Sequence, residues 1–305
     1  MKCGMRGNRK DSNSAGSSAT PVTGATIASC TLTGVVGTED VTCDAADATA
    51  TFASPHAGSR SVSITGLALT GADAGNYTLA SNATASATIA TRPITVTAAT
   101  DTKPYDGTTS SSGTPTITTG SLATGDSATW TQSFDTKAVG TGKTLTPAGS
   151  VTDGNAGNDY AVTFVTATGS ITAKALSVTG ATAADRTYNG LATASVDVTG
   201  AALSGVVDGD AVTLVTTDVT GAFPDKAVGV ARTVTFAGFA ITGDDATNYS
   251  LVQPTTTATI TAKGLTVTGL AGTSRAYDGT RVAAASGSAT LAGVVDGDTV
   301  TLGGT

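Results

Sequence analysis

The 305-residue chain is poor in the side chains that do chemistry: it has one histidine, one tryptophan and three cysteines. A zinc site built from Cys and His needs about four ligands at compact spacing. Cys3, Cys30, Cys43 and His56 are not so spaced, and no metal site is read from them. There is no G-x-S-x-G elbow, no P-loop and no dinucleotide fingerprint, and His56 is the only imidazole. Acid–base partners for catalysis are therefore missing, and the chain reads as a non-enzyme without a cofactor. Charge is also scarce, at 13% of residues, and its balance is −7. No basic face is on offer to a phosphate backbone, which argues against nucleic acid as a partner. No apolar run reaches the roughly eighteen residues that cross a bilayer, so no membrane insertion is expected. The opening "MKCGMRGNRKDSNSAGSSATP" lacks the apolar stretch of a signal peptide. The protein is then either intracellular or a piece of something longer.

What the chain has is glycine, 38 of them, with Thr, Ala, Val and Ser filling most of the rest. Its 39% apolar content rests on Ala and Val, and only 4% of residues are aromatic. Small, β-branched side chains favour narrow sheets with thin cores. Cys30 and Cys43 flank "TLTGVVGTEDVT", which reads as two short strands around a turn. The thiols either face each other across that hairpin as a disulfide, which needs an oxidising compartment, or stay reduced as two small core residues.

Self-similarity organises the rest. "GADAGNYTLA", "GNAGNDYAVT" and "GDDATNYSLV" place Tyr77, Tyr160 and Tyr249 at intervals of 83 and 89 residues. "KPYDGT", "RTYNGL" and "RAYDGT" place Tyr105, Tyr188 and Tyr277 at the same two intervals. Two markers that keep one pair of intervals define a repeat. "LTGVVGTEDVTC", "LSGVVDGDAVTL" and "LAGVVDGDTVTL" align in the same frame, with "SLATGDSATW" as a distant copy. Each unit ends in an alternating strand that meets Arg92, Lys174 or Lys263, and a new strand begins at once. The expected organisation is a disordered tail over 1–23, a partial repeat over 24–92, complete repeats over 93–174 and 175–263, and a truncated repeat over 264–305.

Within a unit, segments such as "GDAVTLVTTD" and "ARTVTFAGFAITG" alternate apolar and polar residues at period two between Gly-Asp and Asp-Gly clusters. No segment sustains helical spacing. Six or seven short strands in about 85 residues predict an all-β chain of tandem small β-sandwiches of immunoglobulin-like architecture. A β-grasp-like sheet is the alternative, because periodicity does not fix topology.

Two readings compete for the repeated motifs. Tyr105-Asp106-Gly107, Tyr188-Asn189-Gly190 and Tyr277-Asp278-Gly279 present a ring and a carboxylate suited to a glycan or peptide. They also suit a tight turn with positive φ at glycine, the tyrosine packing on the sandwich end with its hydroxyl on a backbone partner. Asn189 in place of aspartate fits the turn and not the charge, so the motif reads as structural. Asn76-Tyr77, Tyr160 and Asn248-Tyr249 likewise read as corner tyrosines held by Asx-type turns. Their neighbouring carboxylates, with Asp208, Asp210, Asp296 and Asp298, raise calcium as a ligand, but the middle copy shifts its carboxylate and breaks a uniform site.

These motifs, "KPYDGTT", "RTYNGLATA" and "RAYDGTRVA" followed by "GVVDGD", "GDDATNY" and a terminal "ATITAK", resemble the YDG repeat of bacterial secreted and surface proteins, filamentous haemagglutinin-like exoproteins and adhesins among them. The resemblance covers residues 24–305 and carries over no catalytic residue. It implies a tandem β-domain stalk outside the cell or on its surface. Its partners are then neighbouring repeats of a longer chain, with contact to host surfaces or other bacteria made through domains not present here. The alternative role is a repeated binding module whose loops contact a glycan, a host protein or calcium.

Overall fold

The computed structural model describes residues 2–5, 27–79 and 83–303. Among these, all regular structure is strand apart from two single-turn 3₁₀ helices, Ala74–Asn76 and Ala246–Asn248. The fold is all-β, built as many small sheets. The expected tail at 1–23 lies outside the described residues except for Lys2–Met5, a strand that pairs with Ile27–Thr31.

Two compact units divide the chain. The first holds 1–101, 110–135 and 144–169; the second holds 102–109, 136–143 and 170–305. Short segments of the repeat 93–174 thus cluster with the residues that follow that repeat.

In the first unit, Thr49–Phe52, Gly58–Thr65 and Ala83–Ile89 form a three-stranded antiparallel sheet. Its alternation buries Ala50, Val62 and Ile64 on one face. Arg92–Thr97 is the centre of another three-stranded sheet, antiparallel to Thr116–Thr119 and parallel to Tyr160–Val165. Ser127–Phe134 runs antiparallel to Gly140–Thr152 over eight residue pairs, and Ile94, Val96, Val151 and Tyr160 make the core between the two layers. Trp130 faces Gly149 in that ladder. A Cβ on Gly149 would stand 2.7 Å from the indole and 2.1 Å from a carbonyl oxygen, so only glycine fits under the ring.

The second unit repeats the plan. Lys174–Thr179 lies between antiparallel Ala202–Ser204 and parallel Tyr249–Val252. A five-stranded sheet faces it, in the order Arg186–Thr187, Thr255–Thr261, Gly229–Ala237, Thr220–Ala222, Thr193–Ala194. Phe223, Val234, Ala258 and Ile260 form one core cluster, Val178, Phe236 and Phe239 another. Parallel pairs in each unit mark a difference from the all-antiparallel immunoglobulin pattern. They arise because the first strand of a repeat meets a strand some sixty to seventy residues later, a separation that leaves ample chain for the crossover a parallel pair requires.

One expectation changes in detail. Cys30 and Cys43 form a disulfide, with Cα atoms 5.9 Å apart. They do not sit across a hairpin: Ile27–Thr31 pairs with Lys2–Met5, and Thr42–Asp44 pairs with Ala68–Thr70. The bridge therefore ties two ladders that share no backbone pairing.

Candidate functional site

The Tyr-Asp-Gly turn is a small self-closed structure. Glycine takes the positive φ at all three copies, +79° at Gly107, +81° at Gly190 and +73° at Gly279. Asp106 Oδ1 accepts the N–H of Thr108 at 2.9 Å, Asn189 Oδ1 that of Leu191 at 3.1 Å, and Asp278 Oδ1 that of Thr280 at 3.0 Å. The basic residue two positions before each tyrosine locks the turn. Lys103 Nζ donates to Asp106 and to the Thr108 carbonyl, Arg186 to Asn189 and the Leu191 carbonyl, and Arg275 to Asp278 and the Thr280 carbonyl. Asn189 serves as well as aspartate because the bonds need an acceptor oxygen rather than a charge.

The turn is anchored to the end of its own repeat. Thr102–Pro104 pairs in parallel with the strand end at 170–172, and Tyr105 N–H donates to the Thr172 carbonyl at 2.8 Å. Arg186–Thr187 pairs with Ile260 and Thr261 in the same way, and Tyr188 N–H donates to the Thr261 carbonyl at 2.8 Å. These last strands lead straight into the next repeat, with Ala173 alone separating Ala167–Thr172 from Lys174–Thr179. The tyrosine thus emerges where the following repeat begins.

The Asn-Tyr tyrosines build a second structure, a seat. Tyr249 Oη accepts the N–H of Val207 at 2.9 Å and donates to Asp210 Oδ2 at 2.6 Å. Tyr160 does the same with Ala123 N–H, at 2.7 Å, and Asp126, and Tyr77 with Val36 N–H, at 3.0 Å, and Glu39. The carboxylate three residues beyond the donating amide is the constant part. The aspartates of the outer two motifs do not close Asx turns in their own loops: Asp73 Oδ2 accepts Asp40 N–H and Asp245 Oδ2 accepts Ala211 N–H, each at 2.9 Å. Asp153 in the middle copy does close one, on Asn155 N–H at 2.7 Å.

Turn and seat meet. Tyr105, only 1% exposed, donates from Oη to Asp210 Oδ2 at 2.8 Å, and its ring meets that of Tyr249 edge to face at 5.4 Å. A Cβ on Gly107 would stand 2.8 Å from Val207 Cγ1, so the turn glycine is needed for closeness as well as for φ. Lys137 Nζ lies 3.6 Å from Asp210, whose side chain is 3% exposed, and Val139 N–H donates to Asn248 Oδ1 at 3.0 Å. The second joint repeats this plan: Tyr188 Oη donates to Asp298 at 2.7 Å, Lys226 Nζ to the same carboxylate at 2.7 Å, and a Cβ on Gly190 would stand 2.7 Å from Val295. A cleft of about 190 Å³ opens beside Tyr188, Val228, Leu265 and Val295 at this second joint. The hydroxyl expected to seek a backbone partner binds instead a carboxylate of the following repeat, which is the better acceptor because it is charged.

The first repeat contributes a variant of the loop. His56 Nδ1 and Asp159 Oδ2 are 2.6 Å apart, and Ala57 N–H donates to Asp159 Oδ1 at 2.6 Å. Asp159 stands where Asn248 stands in the next copy, and His56 stands in the loop that elsewhere carries Lys137 or Lys226. His56 itself has no counterpart, since Ala138 and Ala227 occupy its place in the other copies; what recurs is the next amide, Ala57 N–H on Asp159 and Val139 N–H on Asn248.

Burial first, and then the bond to Asp210, pushes Tyr105 and Tyr249 up to about 12. Hydrogen bonds from Tyr249 foremost, then Tyr105 and Lys137, hold Asp210 below the usual carboxylate range against the pull of burial. Lys226 and then Tyr188 hold Asp298 low. Among the described residues, no three His, Cys, Asp or Glu side chains gather as a metal-ligand set.

Sequence reasoning singled out the tyrosines and passed over their partners: Lys137, Lys226, Val207, Val295, and Asp210 and Asp298 as acceptors. One signal was available. "KAVG" occurs at 137–140 and again at 226–229, the same 89 residues apart as the tyrosine markers.

Comparison with known families places one domain type on the chain three times: a family described as the YDG domain matches residues 16–86, 90–169 and 172–258. No curated protein matches the chain.

Proposed function

From the premise that the chain belongs to the YDG domain family, we propose that it is a structural spacer, a run of β-domains that sets a distance and bears load in a secreted or surface-attached bacterial protein of the adhesin type, and that it catalyses nothing. The observation that carries this reading is the joint at Tyr105, Asp210 and Tyr249, where the recurring tyrosine of one repeat binds the next repeat. Repeats that bury their own cores and fasten to their neighbours suit serial loading. A binding module is favoured less, because Asp210, Asp245 and Asp298, among the carboxylates a calcium ion would use, already accept tyrosine and lysine hydrogens or backbone N–H groups.

Stretching the chain between its ends in a single-molecule force experiment tests the proposal. Each complete repeat should unfold as a separate event that releases about 300 Å of contour, from roughly 3.5 Å per residue over about 85 residues. One event that releases the whole chain at once would contradict serial domains.

A further inference from the structure

The three copies of the turn differ at the residue before the glycine: Asp106 and Asp278 bear a carboxylate, Asn189 an amide. Of the eight asparagines in the chain, Asn189 alone is followed by glycine. An Asn-Gly step is open to a reaction that a carboxylate resists, attack of the glycine nitrogen on the side-chain carbonyl carbon. The fold leaves that path clear. Asn189 is exposed, and the Gly190 N–H makes no hydrogen bond among the described residues, so its proton is free to leave. The bond from Leu191 N–H to Asn189 Oδ1, at 3.1 Å, folds the side-chain carbonyl back over this same stretch of backbone. Two donors polarise that oxygen, the Leu191 amide and the Arg186 guanidinium. Arg186 is itself fixed: its guanidinium carbon lies 5.3 Å from the centre of the Phe223 ring, and its other terminal nitrogen donates to the Leu191 carbonyl. Donors held on an oxygen that gains negative charge in the transition state lower the barrier to attack.

We propose that Asn189-Gly190 is a self-modification site, at which the turn converts its own asparagine to aspartate and isoaspartate with water as the co-reactant. Gly190 N gives up its proton and bonds to Asn189 Cγ; the Cγ–Nδ2 bond breaks, and Nδ2 takes up a proton and leaves as ammonia, closing a succinimide ring. Water then adds to one of the two imide carbonyls. Opening of the bond from Gly190 N to Cγ gives aspartate, and opening of the bond from Gly190 N to the main-chain carbonyl carbon gives isoaspartate. The two products differ in consequence. Aspartate reproduces the turn of the third copy, in which Arg275 binds Asp278. Isoaspartate puts one more carbon into the main chain between Tyr188 and Gly190, where a Cβ on Gly190 would stand only 2.7 Å from Val295 and Tyr188 Oη donates to Asp298 at 2.7 Å. A contact that close does not absorb the added length, so isoaspartate releases the second joint. Turn chemistry drives the conversion whatever load the chain bears.

Peptide mapping by mass spectrometry on the full chain, incubated folded in heavy-oxygen water at mildly alkaline pH, tests it. The fragment that contains residue 189 should take up heavy oxygen with the amide-to-acid mass change, faster as pH rises, while those of Asn155, Asn158 and Asn248 lag far behind. Arg186→Met should slow the conversion and Arg186→Lys should restore it, since Lys103 closes the same turn at the equivalent place. Chains bearing isoaspartate, separated from the aspartate product, should lose hydrogen-exchange protection at 295–298, and Asn189→Asp should keep it. An intact Asn189 in the folded chain while the same chain in denaturant converts, a rate in Arg186→Met at or above that of the wild type, or isoaspartate with full protection at 295–298 would each overturn the proposal.

Discussion

At the scale of single residues, the joint depends on one hydroxyl and one buried carboxylate. Tyr105→Phe removes a bond to a charged group while Asp210 keeps Tyr249 and Lys137, so equilibrium denaturation should show a loss of about 1–2 kcal/mol. Tyr105→Ala also empties a buried ring site and should cost about 3–5 kcal/mol. The pH dependence has a definite sign. Asp210 is lowered in the fold, so its contribution is complete above the unfolded value of about 3.9 and disappears as pH falls through the folded value. Tyr105 and Tyr249 are raised to about 12, so theirs is complete below the unfolded value of about 10 and is lost as pH rises through the folded one. Stability measured against pH should therefore be flat from about 4 to about 10 and fall on both sides. Asp210→Asn should make the acid limb shallower, the rest coming from other lowered carboxylates such as Asp106, Asp159 and Asp298, and should shrink the alkaline limb by the smaller share that the bond to Asp210 supplies after burial. The turn itself was legible in the sequence, since Asp-Gly and Asn-Gly state their φ requirement locally. The partner of Tyr105 was not, because it lies 105 residues away and no local propensity points that far.

At the scale of elements, alternation at period two marks which residues of Gly58–Thr65 or Gly229–Ala237 face a core, and the buried positions follow it. It carries no information on neighbours. The parallel pairing of Arg92–Thr97 with Tyr160–Val165 is settled by the layers closing over Ile94, Val96 and Val151, a tertiary fact. The same limit explains Cys30 and Cys43: their spacing of 13 residues was visible as a hairpin, yet each strand finds its ladder partner elsewhere. The bridge predicts a measurable asymmetry under force. Because it encloses 13 residues, the first repeat should release about 45 Å less contour oxidised than reduced, at roughly 3.5 Å per residue. Equal increments with and without reductant would show that the bridge does not persist in solution.

At the scale of the whole molecule, a turn that looks like a local stop signal works as the fastening between one domain and the next. Its basic residue, its aspartate or asparagine and its glycine shape it, its tyrosine reaches forward, and the seat of the following repeat receives it. The period of the repeat was legible; the direction of the contact, from one repeat into the next, was not, because self-similarity gives equivalence without adjacency. Hydrogen exchange on the full chain, wild type against Tyr105→Ala, tests this most directly. The account predicts that the substitution lowers protection at 207–211 and 249–252, a hundred or more residues along the chain. A change confined to 102–109 and its own paired strand at 170–172 would contradict it.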